Sequence, residues 1–206
     1  MSCEIIGQNV SRETYDKLLA YEALIQKWNP SINLVAKSTL SDVWTRHIID
    51  SAQVYFSAMD EKSSIWTDIG SGGGLPGIVI ATLAQGDGQQ IGVTMVESDK
   101  RKSVFLRTAI RELGLTETRV INERIESAQI RVSDIVTARA LAPLTDLFML
   151  SQGFSDQSTT FLFQKGKNWN SEIEIAQNHW SFHYDAIKSE TDSNAVILKI
   201  RGLTRV

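Results

Sequence analysis

A glycine-rich stretch at residues 65–77 contains the groups of this chain best suited to bind a cofactor. Its sequence, IWTDIGSGGGLPG, is typical of a buried strand that ends near an acid and continues into a turn with five glycines within eight residues. Glycine has no Cβ and adopts positive φ freely, so such a turn brings backbone close to a ligand. Apolar residues flank the turn on both sides, whereas a Gly/Ser linker rarely has such flanks. The stretch therefore predicts a cofactor loop.

The residues of the loop distinguish between two classes of cofactor. Residues 72–77, GGGLPG, satisfy the GxGxxG fingerprint of dinucleotide-binding proteins. Pro76, however, removes a backbone donor that a pyrophosphate would use. Asp68 places a carboxylate at the end of the strand, where it would repel a pyrophosphate and suit an ammonium or a sulfonium. S-adenosylmethionine carries both cations, so the loop favours this cofactor.

A second acid follows the next predicted strand. Glu97 ends residues 91–97, and its carboxylate could bind both hydroxyls of a ribose. Both classes of cofactor contain a ribose. Glu97 therefore indicates that the ligand contains a nucleoside, but it does not distinguish between the two classes. From the residues alone, we expect cofactor contacts at Asp68, Gly70, Gly72, Gly74 and Glu97.

Alternating strands and helices are predicted to position these residues. Strand composition occurs at residues 65–69, 91–97, 119–122, 134–138, 160–164, 183–189 and 195–200. Helical stretches such as residues 100–113 separate the earlier strands, so the pattern predicts a mostly parallel, doubly wound α/β sheet. Too few residues separate the last two strands for a crossover, so these two must form a hairpin with one antiparallel strand.

The first part of the chain is predicted to be helical. Ser11 can cap a helix whose apolar residues recur with the 3.6-residue period, and Asn29-Pro30 is expected to end it. A second helix is expected to begin near Ser41.

Composition limits the class of protein. The chain has 206 residues, of which 42% are hydrophobic and 22% charged, enough for a sizeable core. The single cysteine, Cys3, excludes a disulfide framework and a thiolate metal cluster. The N-terminus lacks the regions of a signal peptide, and the longest apolar run is too short to cross a bilayer. We therefore expect a cytoplasmic protein with no metal and no membrane partner.

Several stretches resemble one protein family. They are WNPSINLVAKSTLSDVWTRHIIDS, DIGSGGGLPG, RIES, TARALAPL and FQKG, and the resemblance extends from about Tyr21 to the C-terminus. They are similar to the RsmG family, formerly GidB, of bacterial 16S ribosomal RNA methyltransferases. The resemblance implies a Rossmann-like, seven-stranded S-adenosylmethionine-dependent methyltransferase fold with an antiparallel final strand. It also implies methylation of the 7-position nitrogen of one guanosine in a decoding-region loop.

The resemblance also implies site residues and a domain division. Matched to the motifs of the family, cofactor contacts fall on Gly70, Leu75, Ile125, Glu126 and Arg139. Gly73 replaces a proline that is often seen in the loop, and Glu97 replaces a common aspartate, although a longer carboxylate can still reach a ribose. We expect residues 1–60 to form an N-terminal helical extension and residues 61–206 the methyltransferase domain, in one compact unit.

The chemistry of this target agrees with the residues of the chain. The 7-position nitrogen of guanine has a lone pair and no proton, so methyl transfer needs alignment, which can supply about 7–11 kcal/mol, and no general base. Methylation of a pyrimidine carbon would need a cysteine nucleophile, for which Cys3 is poorly placed. Methylation of an exocyclic amine usually shows Pro-Pro-aromatic where residues 138–143 read ARALAP. We therefore assign no catalytic residue.

Two single residues have competing interpretations. Arg139 could simply pair with a carboxylate such as Glu126, but the resemblance favours cofactor contact. His47 lies on a helix with an apolar face, where a histidine is more often structural, so we assign it no catalysis.

Basic residues suggest an RNA-binding surface despite the overall acidity. The net charge is −3 and the pI about 5.7, whereas RNA-binding proteins are usually basic. Net charge does not describe local patches, although a charge run on a helix is often only a solvated face. The candidate RNA contacts are Arg46, Lys100, Arg101, Lys165 and Lys167.

The sequence thus predicts an S-adenosylmethionine-dependent methyltransferase that modifies a specific guanosine of 16S rRNA, with the RNA or a small ribosomal subunit particle as partner. Two alternatives stay open. A small-molecule methyltransferase would have an apolar lid pocket and no salt-dependent RNA affinity. A non-catalytic, nucleotide-binding regulatory module would bind a dinucleotide without turnover.

Overall fold

A seven-stranded sheet forms the centre of the protein, whose computed structural model describes residues 2–61 and 63–206. The strands are β1 Ser2–Ile5, β2 Gln8–Ser11, β3 Ile65–Ile69, β4 Gly92–Val96, β5 Thr118–Ile121, β6 Ile135–Arg139, β7 Thr160–Lys165, β8 Trp180–Lys188 and β9 Val196–Arg205. The α-helices are α1 Arg12–Ile32, α2 Asp50–Phe56, α3 Gly77–Gly86, α4 Lys100–Leu113, α5 Leu144–Ser151 and α6 Trp169–Ala176.

The strand order of the central sheet is β5-β4-β3-β6-β7-β9-β8. Strands β3 to β7 are parallel, and β9 runs antiparallel to both β7 and β8. This arrangement confirms the predicted doubly wound sheet and its terminal hairpin. The chain moves outward from β3 through β4 to β5 and then crosses to β6, so the order reverses between β3 and β6. In such sheets, ligands bind outside the carboxyl ends of the strands at this reversal.

Helices cover both faces of the sheet and enclose two apolar clusters. One cluster joins α1, α2, α3 and α4 to the sheet, with Tyr21, Trp66 and Phe105 fully buried. The other joins α5 and α6 to the opposite face around Phe148 and Phe161. Because both faces are covered, the central parallel strands β3, β4, β6 and β7 are buried along nearly their whole length instead of alternating.

The predicted cap of the first helix is confirmed, but its predicted end is wrong. The Ser11 hydroxyl accepts a hydrogen bond from the Thr14 N–H at 3.0 Å. The helix continues through Pro30 to Ile32, because a proline in the last turn removes only one helical hydrogen bond. The helix ends at Asn33, which has a left-handed φ of 50° and donates its N–H to the Asn29 carbonyl.

A hairpin precedes this helix and was not among the predicted elements. Strands β1 and β2 pair antiparallel across Ile6 and Gly7, whose φ values are 51° and 68°. A tight turn of this kind favours Asn-Gly or Gly-Gly, so an isoleucine at its first position gives no turn signal. The predicted helical extension of residues 1–60 therefore also contains a two-stranded sheet.

The second helical segment of the extension has three kinds of turn. A 3-10 helix at Lys37–Asp42 leads into a π-helix at Trp44–Ile49, and α2 follows directly. The predicted start near Ser41 thus falls inside the 3-10 turn. Wide π turns are rare and are often found at functional sites, because they change which side chains face a neighbour.

Candidate active site

The glycine loop borders a cavity of about 330 Å³ at the carboxyl ends of β3 and β4. We call it the loop cavity. Five of the predicted cofactor residues line it: Gly70, Gly72, Glu97, Ile125 and Glu126. The other four, Asp68, Gly74, Leu75 and Arg139, are not among its lining residues. The loop cavity therefore brings five of the nine predicted residues together, and the other four lie beneath or beside it.

Two glycines of the loop occupy positions that a larger residue could not. Gly70 has a φ of 64°, and a Cβ there would lie 2.5 Å from Leu141 Cδ1. Gly74 has a φ of 86°, and a Cβ there would lie 2.6 Å from Ile78 Cγ1. Gly74 and the 4% exposed Leu75 are packed into the core, so they shape the loop from behind.

Tyr21 of helix α1 fixes the back of the loop. Its hydroxyl donates a hydrogen bond to the Gly73 carbonyl, and its side chain is fully buried. Burial raises the pKa of Tyr21 well above its usual value, so the phenol stays protonated and can donate. In the sequence, this tyrosine marks only the point where the family resemblance begins, because a single aromatic on a helix face looks like any core residue.

The carboxylate of Glu97 joins the loop to the wall of the loop cavity. One oxygen accepts the Gly72 N–H at 2.8 Å, and the other accepts the Asp99 N–H at 2.7 Å. Glu97 therefore holds the loop and faces the cavity at the same time. Its predicted bond to a ribose requires no movement to reach the cavity, since it already forms part of the lining.

Asp68 lies beneath the loop. It is 1% exposed, and one oxygen accepts the Thr137 hydroxyl at 2.9 Å. The other oxygen lies close to Gly77 at the start of α3, where an added Cβ would approach it to 2.9 Å. Burial raises the pKa of Asp68 to about 6, although the nearby Ser71 and Thr137 hydroxyls, the Gly77 N–H and then the charge of Arg139 act against this shift. Of these groups, Thr137 donates a hydrogen bond to the carboxylate, whereas Ser71 donates to the Asp68 backbone carbonyl.

A second cleft, of about 420 Å³, lies between the helical extension, the ends of β6 and β7, and the β8–β9 turn. We call it the extension cleft. Arg139 lines this cleft and not the loop cavity, because its Nη1 atom lies 3.3 Å from Asp50 Oδ2 and 3.4 Å from the Arg46 carbonyl. Ala140, the next residue, lines both the extension cleft and the loop cavity. The two cavities are therefore neighbours with a common wall.

Asp50 organises the extension cleft, although the sequence did not single it out. Its Oδ2 atom accepts from Arg139 and, at 2.6 Å, from Gln164 Nε2. Its Oδ1 atom accepts from the Thr191 hydroxyl at 2.9 Å and from Gln53 Nε2 at 3.3 Å. One signal was available, because Asp50 lies within RHIIDS, the end of a stretch that carries the family resemblance.

Comparison with known proteins agrees with this geometry. A family model described as GidB, rRNA small subunit methyltransferase G, matches residues 14–197. The chain belongs to this family. A relative from Ruegeria pomeroyi, named ribosomal RNA small subunit methyltransferase G, is 48% identical over 198 residues, which cover 96% of each chain.

Solved structures show the same fold at low identity. A SAM-dependent methyltransferase from Aquifex aeolicus has a TM-score of 0.61 at 10% identity, covering 87% of this chain and 98% of its own. A methyltransferase from Geobacter sulfurreducens has a TM-score of 0.59 at 16% identity, covering 90% of this chain and 88% of its own. The expected Rossmann-like methyltransferase fold is confirmed.

His47 is a buried, neutral group in the wall of the extension cleft. Its Nε2 atom lies 2.7 Å from the Thr39 hydroxyl, and the residue is 9% exposed. Burial, followed by the charges of Arg139 and Arg46, lowers the pKa of His47 to about 4. The imidazole is therefore uncharged near neutral pH, and its Nδ1 atom is buried without a hydrogen-bond partner among the described residues.

The predicted RNA-contact residues differ in how freely their charges face solvent. Lys100, Arg101 and Lys167 are exposed, and Arg46 pairs with Asp192 at 3.4 Å on the surface. The ammonium of Lys165, by contrast, is buried between Glu172 Oε2 at 2.6 Å and the Ala142 carbonyl at 2.9 Å. Its charge is thus neutralised within the protein, so its primary role here is structural.

Residues 2–61 and 63–206 contain neither a candidate membrane-spanning helix nor a candidate metal-binding cluster. No helix there combines the length and apolar character that a membrane span requires. No three His, Cys, Asp or Glu side chains there are grouped so that they could hold a metal ion.

The raised pKa of Asp68 predicts a pH effect on stability. Because the folded protein binds this proton more tightly than the unfolded chain, the free energy of unfolding should fall as pH rises from about 4 through about 6. Asp68→Asn cannot ionise. The free energy of unfolding of this variant minus that of the wild type should therefore be larger at about pH 8 than at about pH 4, by on the order of 1–3 kcal/mol. Urea denaturation at both pH values measures this difference. Asp16→Asn, at an exposed site, is the control, and an equal difference for both variants would contradict the prediction.

The two bonds of Glu97 to backbone N–H groups predict its effect on ligand binding. Glu97→Gln keeps the shape of the side chain but loses charge-assisted bonds, so affinity for S-adenosylhomocysteine should fall by about 1–3 kcal/mol. Isothermal titration measures the loss, and Glu112→Gln, exposed on α4, should leave affinity unchanged. Wild-type affinity in Glu97→Gln would exclude it as a ligand of the nucleoside.

Proposed function

We propose that the protein transfers the methyl group of S-adenosylmethionine to the 7-position nitrogen of a guanosine in the decoding-region loop of 16S rRNA. The observation that carries the proposal is the pair of neighbouring cavities with Ala140 as common wall, in a chain of this family. One cavity has the glycine loop and a carboxylate for a nucleoside, and the other has room for a second ring system. This is the arrangement that direct transfer between two bound groups requires.

The loop cavity suits S-adenosylmethionine. Glu97 would accept hydrogen bonds from the ribose hydroxyls, and Ile125 and Glu126 would contact the adenine side of the cavity. Gly70 and Gly72 let the backbone approach the ligand, because neither presents a side chain to the cavity. The cofactor supplies an electrophilic methyl group on a sulfonium. The Aquifex aeolicus relative in fold is itself named SAM-dependent, which supports the same choice.

The extension cleft suits the target base. Its charged side chains are already engaged with one another, Arg139 with Asp50 and Arg46 with Asp192, so they form a fixed polar frame. A guanine nitrogen with a free lone pair needs no proton removed, and the neutral His47 is not required as a base. The chain contributes to the reaction by holding the two partners in line and excluding water, which is worth about 7–11 kcal/mol in well-oriented pairs.

Exposed cations flank the two cavities and suit a phosphate backbone. Lys100 and Arg101 begin α4 beside the loop cavity, whose lining includes Lys102. Lys167 follows β7 beside the extension cleft, whose lining includes Gly166. A modest patch at the active edge is enough when recognition depends mainly on the shape of RNA or of an assembled particle. We propose 16S rRNA within the small ribosomal subunit, in the cytoplasm, as the partner.

The position of Arg101 predicts an effect on RNA binding. Arg101→Glu should weaken association with small-subunit particles and reduce the slope of log affinity against log salt concentration by about one. The affinity for S-adenosylhomocysteine should be unchanged. Arg111→Glu makes the same change on the same helix, away from the cavities, and is the matched control. Filter binding over a salt series measures both. Equal loss of particle binding in the two variants would contradict a local RNA patch.

The identity of the product tests the proposed reaction. Methylation at the 7-position puts a positive charge on the imidazole ring of guanine, so borohydride and then aniline break the RNA backbone at that nucleoside. Small-subunit RNA from a strain without the gene should lack one such break. Purified protein with S-adenosylmethionine should restore the break on small-subunit particles.

Other products would favour the alternatives. A methyl group on an exocyclic amine or a ribose would contradict the stated reaction. Turnover of a small molecule without salt-dependent RNA affinity would indicate a small-molecule methyltransferase. Binding of a dinucleotide without turnover would indicate a regulatory module.

A further inference from the structure

Ala140 has an unusual backbone conformation at the wall between the two cavities. Its φ is 51°, in the left-handed region that residues other than glycine rarely occupy. Its side chain is exposed, so packing around its own methyl group does not impose this conformation. The neighbouring residues must therefore hold the peptide in place.

The segment is anchored on both sides by ion pairs. Before Ala140, the guanidinium of Arg139 is held by Asp50 of the helical extension. After it, the Ala142 carbonyl accepts from Lys165 Nζ, and the same lysine pairs with Glu172. Glu172 also accepts the Leu144 N–H at 2.8 Å, which fixes the start of α5. The strained residue thus lies between two partly buried anchors.

Asp50 divides its contacts between its two oxygen atoms. The Oδ2 atom faces Arg139 and Gln164 at the ends of β6 and β7. The Oδ1 atom faces the β8–β9 turn through Thr191, together with Gln53 of its own helix. Gln53 also binds the turn directly, since its Oε1 atom accepts the Glu190 N–H at 2.8 Å. One side of the carboxylate therefore serves the common wall, and the other serves the turn.

We propose that Asp50 is a positioning residue for methyl transfer, which through Oδ2 and Arg139 holds Ala140 in the conformation that keeps cofactor and target base aligned. The inference rests on the proposed function, because it gives the common wall a role in that reaction. Asp50 lines the extension cleft, but both of its carboxylate oxygen atoms are already engaged by donors of the protein. Its effect passes through the Arg139 side chain to the peptide that follows.

Asp50→Asn tests this role, because asparagine keeps the shape of the side chain and loses the charge that holds Arg139. With small-subunit particles from a strain lacking the gene, kcat should fall at least about tenfold. Affinity for S-adenosylhomocysteine should stay within about twofold of wild type, since Asp50 does not line the loop cavity. A kcat within about twofold of wild type would overturn the proposal.

Gln53→Ala provides the matched control. It removes the Gln53 contact to Oδ1 and the bond to Glu190, but leaves the Thr191 contact to Oδ1 and the contact between Oδ2 and Arg139. Gln53 does not line either cavity. This variant should keep kcat within about twofold of wild type. A loss as large as that of Asp50→Asn would mean that the aspartate acts through the turn, and the proposal would be wrong.

A double variant separates positioning from a general loss of structure. Glycine adopts positive φ without strain, so Ala140→Gly combined with Asp50→Asn should recover at least about threefold of the lost kcat. General damage to the fold would not be repaired by removing a methyl group, so no recovery would contradict the role of Ala140. If the wild type itself transfers no methyl group to the particles, the proposed function is wrong. If the wild type is active and Asp50→Asn is equally active, only the positioning role of Asp50 is wrong.

Discussion

Close packing between helix α1 and the glycine loop is the constraint on which both cavities depend. A Cβ at Gly74 would lie within 2.9 Å of Ile78, Leu106 and the Tyr21 hydroxyl, so the loop, the sheet-covering helices and the extension meet at one point. The bond from Tyr21 to the Gly73 carbonyl fixes the same point. Once the loop is held there, its outer side faces the loop cavity, and the extension lies where it can form a wall of the second cleft. The extension therefore both packs against the glycine loop and lines the extension cleft.

The sequence predicted the elements whose signals are local. Helix α4 begins and ends as expected because Asp99 caps it through the N–H groups of Arg101 and Lys102, and Gly114 ends it in the left-handed conformation. The mostly parallel sheet follows from the alternation of strands and helices, and the terminal hairpin follows from the short last connection. The positions of Arg139 and Lys165 could not be predicted in this way, because the choice of partner depends on residues far away in the chain. Arg139 pairs with Asp50, and Lys165 with Glu172.

Charge pairing explains how an acidic protein can present a basic edge. Several cations are engaged internally or on faces away from the cavities: Lys165 with Glu172, and Lys199 with Asp60 and Glu61. Two carboxylates that line the cavities are likewise occupied, Glu97 by backbone N–H groups and Asp50 by a guanidinium and several neutral donors, whereas Glu123 and Glu126 of the loop cavity are exposed. Exposed positive charge is thereby left on Lys100, Arg101 and Lys167, although Arg101 lies 3.8 Å from Asp99, whereas net charge averages over all these groups.

The π turn at Trp44–Ile49 also limits how the length of the chain can vary. Each helical residue turns the chain by about 100°, so a one-residue deletion that relaxed this wide turn to an α turn would rotate everything before it relative to Asp50. Arg46 and His47 would then face away from the cleft that they line. Insertions in an exposed turn such as residues 86–90 add only loop-closure entropy. Related sequences can therefore gain or lose residues at the exposed turn, whereas at the π turn only the type of residue can change.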